Sequence, residues 1–283
     1  MNPYAKAIAG ILGFATLFGL TAPVGATPVT LTWNTCVPTC AGGLTPSVRT
    51  TSGGSPSGST EANVIFTFQS IEDATQTIVT RAFKSQNLDG TGNALKAEIT
   101  IYTGGLGANS SVYPASSDEG SPQHAVDNVG PDEFIVYELP ADGTQPLSFK
   151  IGYKYTDADV MTWIGGTSAL DLLNLLAAET FNWNKGNTLV STYGFVSQYF
   201  DNVPTNTAQL FSNGATGRYL IIGANTEGTT STDGGEDKFK ILQATVQVPV
   251  PEPSTLALLA GGLLALGAAH LARRASRVSR SRA

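Results

Sequence analysis

The chain has 283 residues, 13% of them charged, and a formal net charge of −6 at pH 7. Six of its 16 basic residues lie before residue 27 or after residue 252, which leaves 10 basic against 22 acidic residues in between, a net charge of about −12. A surface of that sign repels nucleic acid and anionic lipid, so we expect no nucleic-acid partner. The span between the two ends is long enough to bury one large hydrophobic core.

Residues 1–26 have the order of a secretory signal peptide. Lys6 gives a positive start, an apolar run follows from Ala7 to Leu20, and small residues precede Ala26. Signal peptidase recognises such small residues, so we predict cleavage after Ala26 and export of the remainder. The apolar run is short for a membrane span, which needs about 20 residues.

Residues 27–62 are predicted to be a lead-in that carries one covalent loop. Cys36 and Cys40 are the two cysteines of the chain, and Pro38 lies between them. Because an exported chain meets an oxidising compartment, we predict a Cys36–Cys40 disulfide. The stretch 39–60 is rich in Gly, Ser, Thr and Pro, which is typical of a loop.

Residues 63–248 are predicted to form an all-β body. Apolar and polar residues alternate most clearly over 147–155, where the predicted buried face comprises Leu147, Phe149, Ile151, Tyr153 and Tyr155. About nine such strands, each with one buried face, predict a jelly-roll-like β-sandwich. Further strand candidates are 64–68, 77–83, 97–102, 133–139, 160–164, 219–223 and 238–248. Helix formers over 168–179, with Thr167 or Ser168 as a cap and Asp171 in the first turn, predict one short helical insert.

The candidate metal ligands are oxygen-bearing residues beside predicted strands. Asp127 and Asn128 precede one strand, whereas Asp157 and Asp159 follow another. The last strand is preceded by Asp233, Glu236 and Asp237. Oxygen ligands from loops at one end of a sandwich suit Ca²⁺, so calcium is the one cofactor that the sequence suggests. Such residues also populate ordinary turns for conformational reasons, and that alternative stays open.

No catalytic constellation is evident in the sequence. His124 is the single histidine between the two ends, and no serine has the Gly-x-Ser-x-Gly context of a hydrolase nucleophile. Paired glycosidase acids could be drawn from the carboxylates above, but nothing in the sequence fixes their separation. We therefore expect that the protein is not an enzyme.

Residues 249–283 are predicted to form a removable membrane anchor. Pro251 and Pro253 flank Glu252 and favour an extended, unpaired backbone that a protease can bind. The 18 residues 255–272 are apolar except for His270, and as a helix they would span about 27 Å, close to the thickness of a bilayer core. Basic residues behind such a helix stay on the cytoplasmic side. They are Arg273, Arg274, Arg277, Arg280 and Arg282.

This order of Pro-Glu-Pro, transmembrane helix and Arg-rich tail resembles the PEP-CTERM sorting signal of Gram-negative bacteria. The resemblance implies a precursor tethered in the inner membrane, cut near Pro251–Pro253 by the membrane protease exosortase, and then passed to the cell surface or the medium. Because it covers only the last residues, it concerns the destination of the protein and not its activity.

The body is similar in the order of its motifs to XDP-type exosortase-dependent surface proteins. The segments that carry this similarity are HAVDN at 124–128, EFIVYEL at 133–139, the turn at 152–159, GRYLIIGAN at 217–225 and DKFKIL at 237–242. The resemblance implies a role at the cell surface and brings no catalytic residue with it.

Two functions follow as hypotheses. The first is a structural or adhesive component of the cell surface or extracellular matrix, associated with exopolysaccharide in a biofilm. The second is a carbohydrate- or calcium-binding surface module. In that case aromatic residues at loop positions would stack on sugars, although core or edge packing is the favoured interpretation for most of them. The candidates are Trp33, Trp163, Trp183 and Tyr113.

Overall fold

The computed structural model describes most of the predicted body and little of the two ends. The described residues are 27–52, 65–87, 91–109, 124–178, 181–182, 188–224, 236–249, 262–264, 266–267 and 270. Val29–Pro249 form one compact unit, and a second unit comprises Met1–Pro28 and Val250–Ala283. Among the described residues, no helix is both long and apolar enough to span a bilayer. The predicted signal peptide, the Pro251–Pro253 motif and the tail arginines lie outside the described residues.

The compact unit is built mainly from strands. Sixteen strands occur among the described residues: β1 (Val29–Asn34), β2 (Arg49–Ser52), β3 (Ile65–Gln69), β4 (Thr77–Ser85), β5 (Thr91–Gly92), β6 (Ala94–Tyr102), β7 (Gly105–Asn109), β8 (Val126–Asp127), β9 (Glu133–Glu138), β10 (Gln145–Lys154), β11 (Val160–Gly165), β12 (Phe181–Asn182), β13 (Val196–Phe200), β14 (Gln209–Leu210), β15 (Tyr219–Ala224) and β16 (Lys238–Val248). The all-β class predicted from the alternation is confirmed.

Fourteen of these strands belong to one hydrogen-bonded sheet, and β5 and β12 pair separately. Along the main path the order is β13-β11-β15-β9-β4-β6-β7-β16-β10-β14. Strand β6 connects the two halves of this sheet, which are the part from β13 to β4 and the part from β7 to β14. Its residues Ala94–Ala97 pair with β4, and Glu98–Tyr102 pair with β7. Side chains from both halves meet in one hydrophobic cluster. The antiparallel sheet therefore turns back on itself and is nearly closed around this main core, while the jelly-roll arrangement stays a prediction.

Two strands of the predicted lead-in lie within this sheet. All six residues of β1 pair with β16, from Val29 opposite Val248 to Asn34 opposite Gln243. Strand β2 pairs with β3, so the prediction of a loop over 39–60 is wrong at Arg49–Ser52. A lead-in strand can form here because Leu31 and Trp33 alternate with threonines and present one apolar face to the main core.

The buried face of β10 changes side at a bulge. Phe149 pairs with Ala244 and Ile151 pairs with Ile241, and all four contribute to the main core. The register shifts after Ile151, so that Tyr153 lies opposite Lys240, the neighbour of Ile241. Since successive residues of a strand face opposite sides, Tyr153 points away from the main core. The prediction that Tyr153 and Tyr155 continue the buried face is therefore wrong.

The bulge depends on the small size of Gly152. A Cβ atom at this position would lie 2.5 Å from the carbonyl oxygen of Gly104. Replacing Gly152 by alanine is therefore expected to lower the free energy of unfolding by about 1–3 kcal/mol, the usual cost of overpacking. Chemical denaturation checks this value. Thr205→Ala, in an exposed turn, serves as control, and equal stability of both variants would contradict the close approach.

Two short helices cover the other face of β9, β11 and β15. Helix α1 (Leu172–Ala178) buries Leu172 and Leu176, and helix α2 (Thr188–Tyr193) buries Leu189. These side chains join a second hydrophobic cluster. The predicted helix is confirmed, although it begins later than expected. Asp171 accepts a hydrogen bond from the Asn174 amide (3.2 Å) and acts as the N-cap, whereas Ser168 binds Asp142 instead.

Candidate functional site

Three carboxylates meet where the start of β16 approaches the loop between β10 and β11. Asp157 and Asp237 form an isolated parallel bridge, which brings the two chain segments together. Asp157, Asp159 and Asp237 each place a ligand oxygen within 4.8 Å of the others. Their side chains are buried, with exposed fractions of 6%, 1% and 1%. We call these three residues the acidic cluster.

Asp237 is held by neighbours on two sides. Its carboxylate accepts hydrogen bonds from the Asp159 amide (2.7 Å) and from Asn128 Nδ2 (2.9 Å). Its own backbone amide donates to Asn128 Oδ1 (3.0 Å). These two hydrogen bonds fix the Asn128 side chain and connect the segment after β8 to the start of β16. The two strands are also paired through their backbones there, with Asp127 opposite Lys238.

Asp159 is bound by a segment that the sequence did not point to. Its carboxylate accepts hydrogen bonds from the Asn202 amide (2.8 Å) and from the Tyr199 hydroxyl (2.5 Å). Burial and the neighbouring Asp159 carboxylate raise the pKa of Tyr199, so this hydroxyl stays protonated and donates. The only local signal was Asp201-Asn202, a pair typical of turns, in which Asn202 has a φ of 48°.

The structure brings most of the predicted calcium ligands together. Asn128, Asp157 and Asp159 lie around one point, and Asp237, which the sequence placed before the last strand, completes the group. Asp127 is adjacent, but its carboxylate accepts a hydrogen bond from the Val129 amide (3.1 Å), which is a turn contact. Glu236 pairs with Lys238 Nζ (3.1 Å). Asp233 lies outside the described residues.

The acidic cluster has the donor set of a hard-cation site. Buried carboxylates repel one another, and they are stabilised either by hydrogen-bond donors or by a bound cation. The backbone amides of Ala158, Asp159 and Asn202 donate hydrogen bonds to these carboxylates and so stabilise them in part. Each carboxylate oxygen has a second lone pair, so three oxygens remain able to bind one Ca²⁺. Asp157, Asp159 and Asp237 are the residues that would hold it.

The acidic cluster lies at the start of β16, and Pro249, the last described residue of the body, follows the other end of this strand. This strand runs ten residue steps from Lys238 to Val248, a length of about 33 Å. The candidate cation site is therefore at the end of β16 that is remote from Pro249.

Cys36 and Cys40 are joined by a disulfide, with their Cα atoms 5.2 Å apart. Both cysteines pack on Leu242, on the outer face of β16. Thr35 Oγ1 donates to the Ile241 carbonyl (2.8 Å), and the Ala41 amide donates to the Thr103 carbonyl (2.9 Å). The disulfide loop therefore covers part of the sheet surface, and a short 3₁₀ helix, Ala41–Gly43, follows it.

The predicted sugar-stacking tryptophans are buried. Trp33 is 0% exposed and Trp163 is 1% exposed, so these two rings take the favoured alternative, core packing, and do not stack on sugars. Trp183 and Tyr113 lie outside the described residues. The histidine considered for a catalytic triad, His124, stacks its ring on Tyr102, with centroids 6.1 Å apart.

Comparison with known proteins identifies the end of the chain. Residues 249–274 match a family model described as the PEP-CTERM protein-sorting motif. Searches of curated proteins and of solved structures gave no significant match, and the similarity of the body to XDP-type proteins stays a prediction. The motif implies sorting by exosortase and export to the membrane or cell surface. The chain thus carries a PEP-CTERM protein-sorting motif near its C-terminus.

Proposed function

We propose that the protein is a structural or adhesive component of the cell surface or extracellular matrix, associated with exopolysaccharide in a biofilm. The observation that carries this proposal is the sorting motif at 249–274, which begins directly after the last strand of the body. The acidic body between the two ends supports it, because a high net charge keeps an exported domain soluble. The proposed role is non-catalytic, in line with a sequence that offers no activated nucleophile.

The test of this proposal measures the size and the cellular location of the protein. Wild type, a deletion of residues 250–283, and a variant with Pro251, Glu252 and Pro253 replaced by alanine are expressed in the host and in a strain without exosortase. We expect wild type to become shorter at its C-terminus and to reach the surface or medium. Both variants, and wild type in the exosortase-free strain, should lose that processing.

Cell fractionation and intact-mass measurement check the result, and a mature N-terminus at Thr27 would establish the signal-peptidase site. Thr205→Ala, in the exposed turn of the body, is the control that should be sorted as wild type is. Unchanged mass and unchanged distribution of the motif variants would refute exosortase processing of this chain.

A second function is favoured by the acidic cluster. We propose that the body binds Ca²⁺ through Asp157, Asp159 and Asp237, whose buried oxygens lie within 4.8 Å of one another. Extracellular calcium modules bind at about 10⁻⁴–10⁻³ M, a range that free calcium outside the cell reaches. Bound calcium would join the loop between β10 and β11 to the start of β16, the two segments that carry the three carboxylates.

A further inference from the structure

Three tyrosines line the outer face of the sheet beside the disulfide loop. Tyr153 lies opposite Lys240, and the Tyr155 amide donates to the Lys238 carbonyl (3.0 Å), which continues the same ladder. Tyr102, at the end of β6, has its ring centroid 3.9 Å from Lys240 Nζ; the corresponding distance for Tyr153 is 5.7 Å. We call Tyr102, Tyr153 and Tyr155 the tyrosine strip.

Two rings of the tyrosine strip are exposed, Tyr153 is half-buried, and the lysine beside them is buried. Tyr102 is 42% exposed and Tyr155 is 51% exposed, whereas Lys240 is only 9% exposed. The ammonium of Lys240 lies against the rings in a cation–π contact, and His124 stacks on Tyr102. Rings that are held in place and also meet solvent lose little conformational entropy on binding, which is why tyrosine is frequent in recognition surfaces.

The backbone around the tyrosine strip is arranged to produce this exposure. The bulge after Ile151 turns Tyr153 outward, and Gly152 and Gly104 permit the close approach that brings Tyr102 beside it. The next outward position on β16, Leu242, is covered by the disulfide loop. β-Bulges recur where a side chain must be re-aimed beside a functional site. The same sheet face is therefore covered at Leu242 and exposed at the tyrosines.

We propose that the tyrosine strip binds a neutral polysaccharide chain. The C–H faces of sugar rings pack on phenol rings, and the tyrosine hydroxyls exchange hydrogen bonds with sugar hydroxyls, since a tyrosine ring is apolar with one polar end. The proposal rests on the surface function proposed above. It names a neutral polysaccharide as the ligand in the association with exopolysaccharide.

Charge selects a neutral chain over an anionic one. The body carries about −12, and the acidic cluster follows Tyr155 directly in the chain through Asp157. The two lysines on this side of β16, Lys238 and Lys240, are only 2% and 9% exposed, and Lys238 Nζ is paired with Glu236 (3.1 Å). A polyanionic chain would therefore be repelled at this face, whereas hydroxyl groups would not.

Affinity electrophoresis of the exported protein tests the proposal, in gels that contain either a neutral β-glucan or polygalacturonate, with soluble glucan hexasaccharide as competitor. We expect retardation in the neutral gel only. Tyr155→Ala and Tyr102→Ala should each weaken this binding at least tenfold, while Tyr155→Phe, which keeps the ring, should bind within about threefold of wild type. Leu210→Ala is the matched control, because Leu210 is 69% exposed on another strand.

Tyr155 lies beyond the last residue of β10, so we expect Tyr155→Ala to fold normally. This variant therefore tests the proposal even if Tyr102→Ala impairs folding. Absence of retardation, preference for polygalacturonate, or equal binding by wild type and Tyr155→Ala would overturn the proposal. Fractionation of the same variants separates the two claims. Normal processing without glucan binding refutes the tyrosine strip alone, whereas glucan binding without exosortase processing refutes the surface assignment alone.

Discussion

Replacing Trp33 by alanine is expected to lower the free energy of unfolding by about 3–5 kcal/mol, the range found for removal of a large buried aromatic side chain. Trp33 is fully buried in the main core, and its strand β1 pairs with Gln243–Val248, the C-terminal half of β16. Domains of this kind have total stabilities of about 5–15 kcal/mol, so the expected loss is a large fraction of the whole. Urea denaturation followed by circular dichroism measures the difference.

The control for this prediction lies on the same strand. Val29 is 45% exposed at the start of β1, so Val29→Ala should change the free energy of unfolding by less than about 1 kcal/mol. A Trp33→Ala variant as stable as Val29→Ala would show that β1 contributes little to the stability of the body. The predicted loss instead makes β1 an integral strand of the fold.

The predictable parts of the fold are those with a local signal. Strands β9 and β15 were predicted at nearly their observed positions, but the prediction of one buried face for each is wrong, because both faces of these strands are buried. Alternate residues such as Ile135 and Val136 enter different hydrophobic clusters, because the helices cover the second face of the sheet. Helix α1 was recognised from its composition in the same way. In each case the pattern that predicts the element lies within the element.

The errors arise where contacts distant in the chain decide the outcome. Strand β1 pairs with a strand more than 200 residues away, and the Gly/Ser/Thr-rich composition after Cys40 concealed β2. The outward turn of Tyr153 depends on Gly104 approaching Gly152 across the sheet, which no periodicity within β10 encodes. For the acidic cluster, the sequence indicated the carboxylates beside the strands, but Tyr199 on β13 and Asn202 in the turn after it bind Asp159 from a distant part of the chain.

Addition of Ca²⁺ is expected to raise the melting temperature of wild type, and Asp157→Asn is expected to abolish that rise. At a free concentration of about 100 times Kd, a ligand that binds only the folded state adds about 2.7 kcal/mol to its stability. Asparagine keeps the size of the side chain and an oxygen that can accept the Ala158 amide (2.7 Å), but it removes one negative charge from the ligand set. Differential scanning calorimetry with 10 mM CaCl₂ or with EDTA measures both effects.

The behaviour in EDTA distinguishes a cation site from a self-sufficient polar network. Without Ca²⁺, loss of one of three buried like charges relieves repulsion, so Asp157→Asn should equal or exceed wild type in stability. A network that needs no cation predicts the opposite, with no calcium response and a less stable variant. Asp201→Asn, an exposed carboxylate 3.3 Å from the Tyr199 hydroxyl, controls for general charge effects and should keep the calcium response. The acidic cluster lies at the start of β16, which pairs with β1, β7, β8 and β10. Bound calcium would therefore stabilise this strand and, through its four partners, the body as a whole.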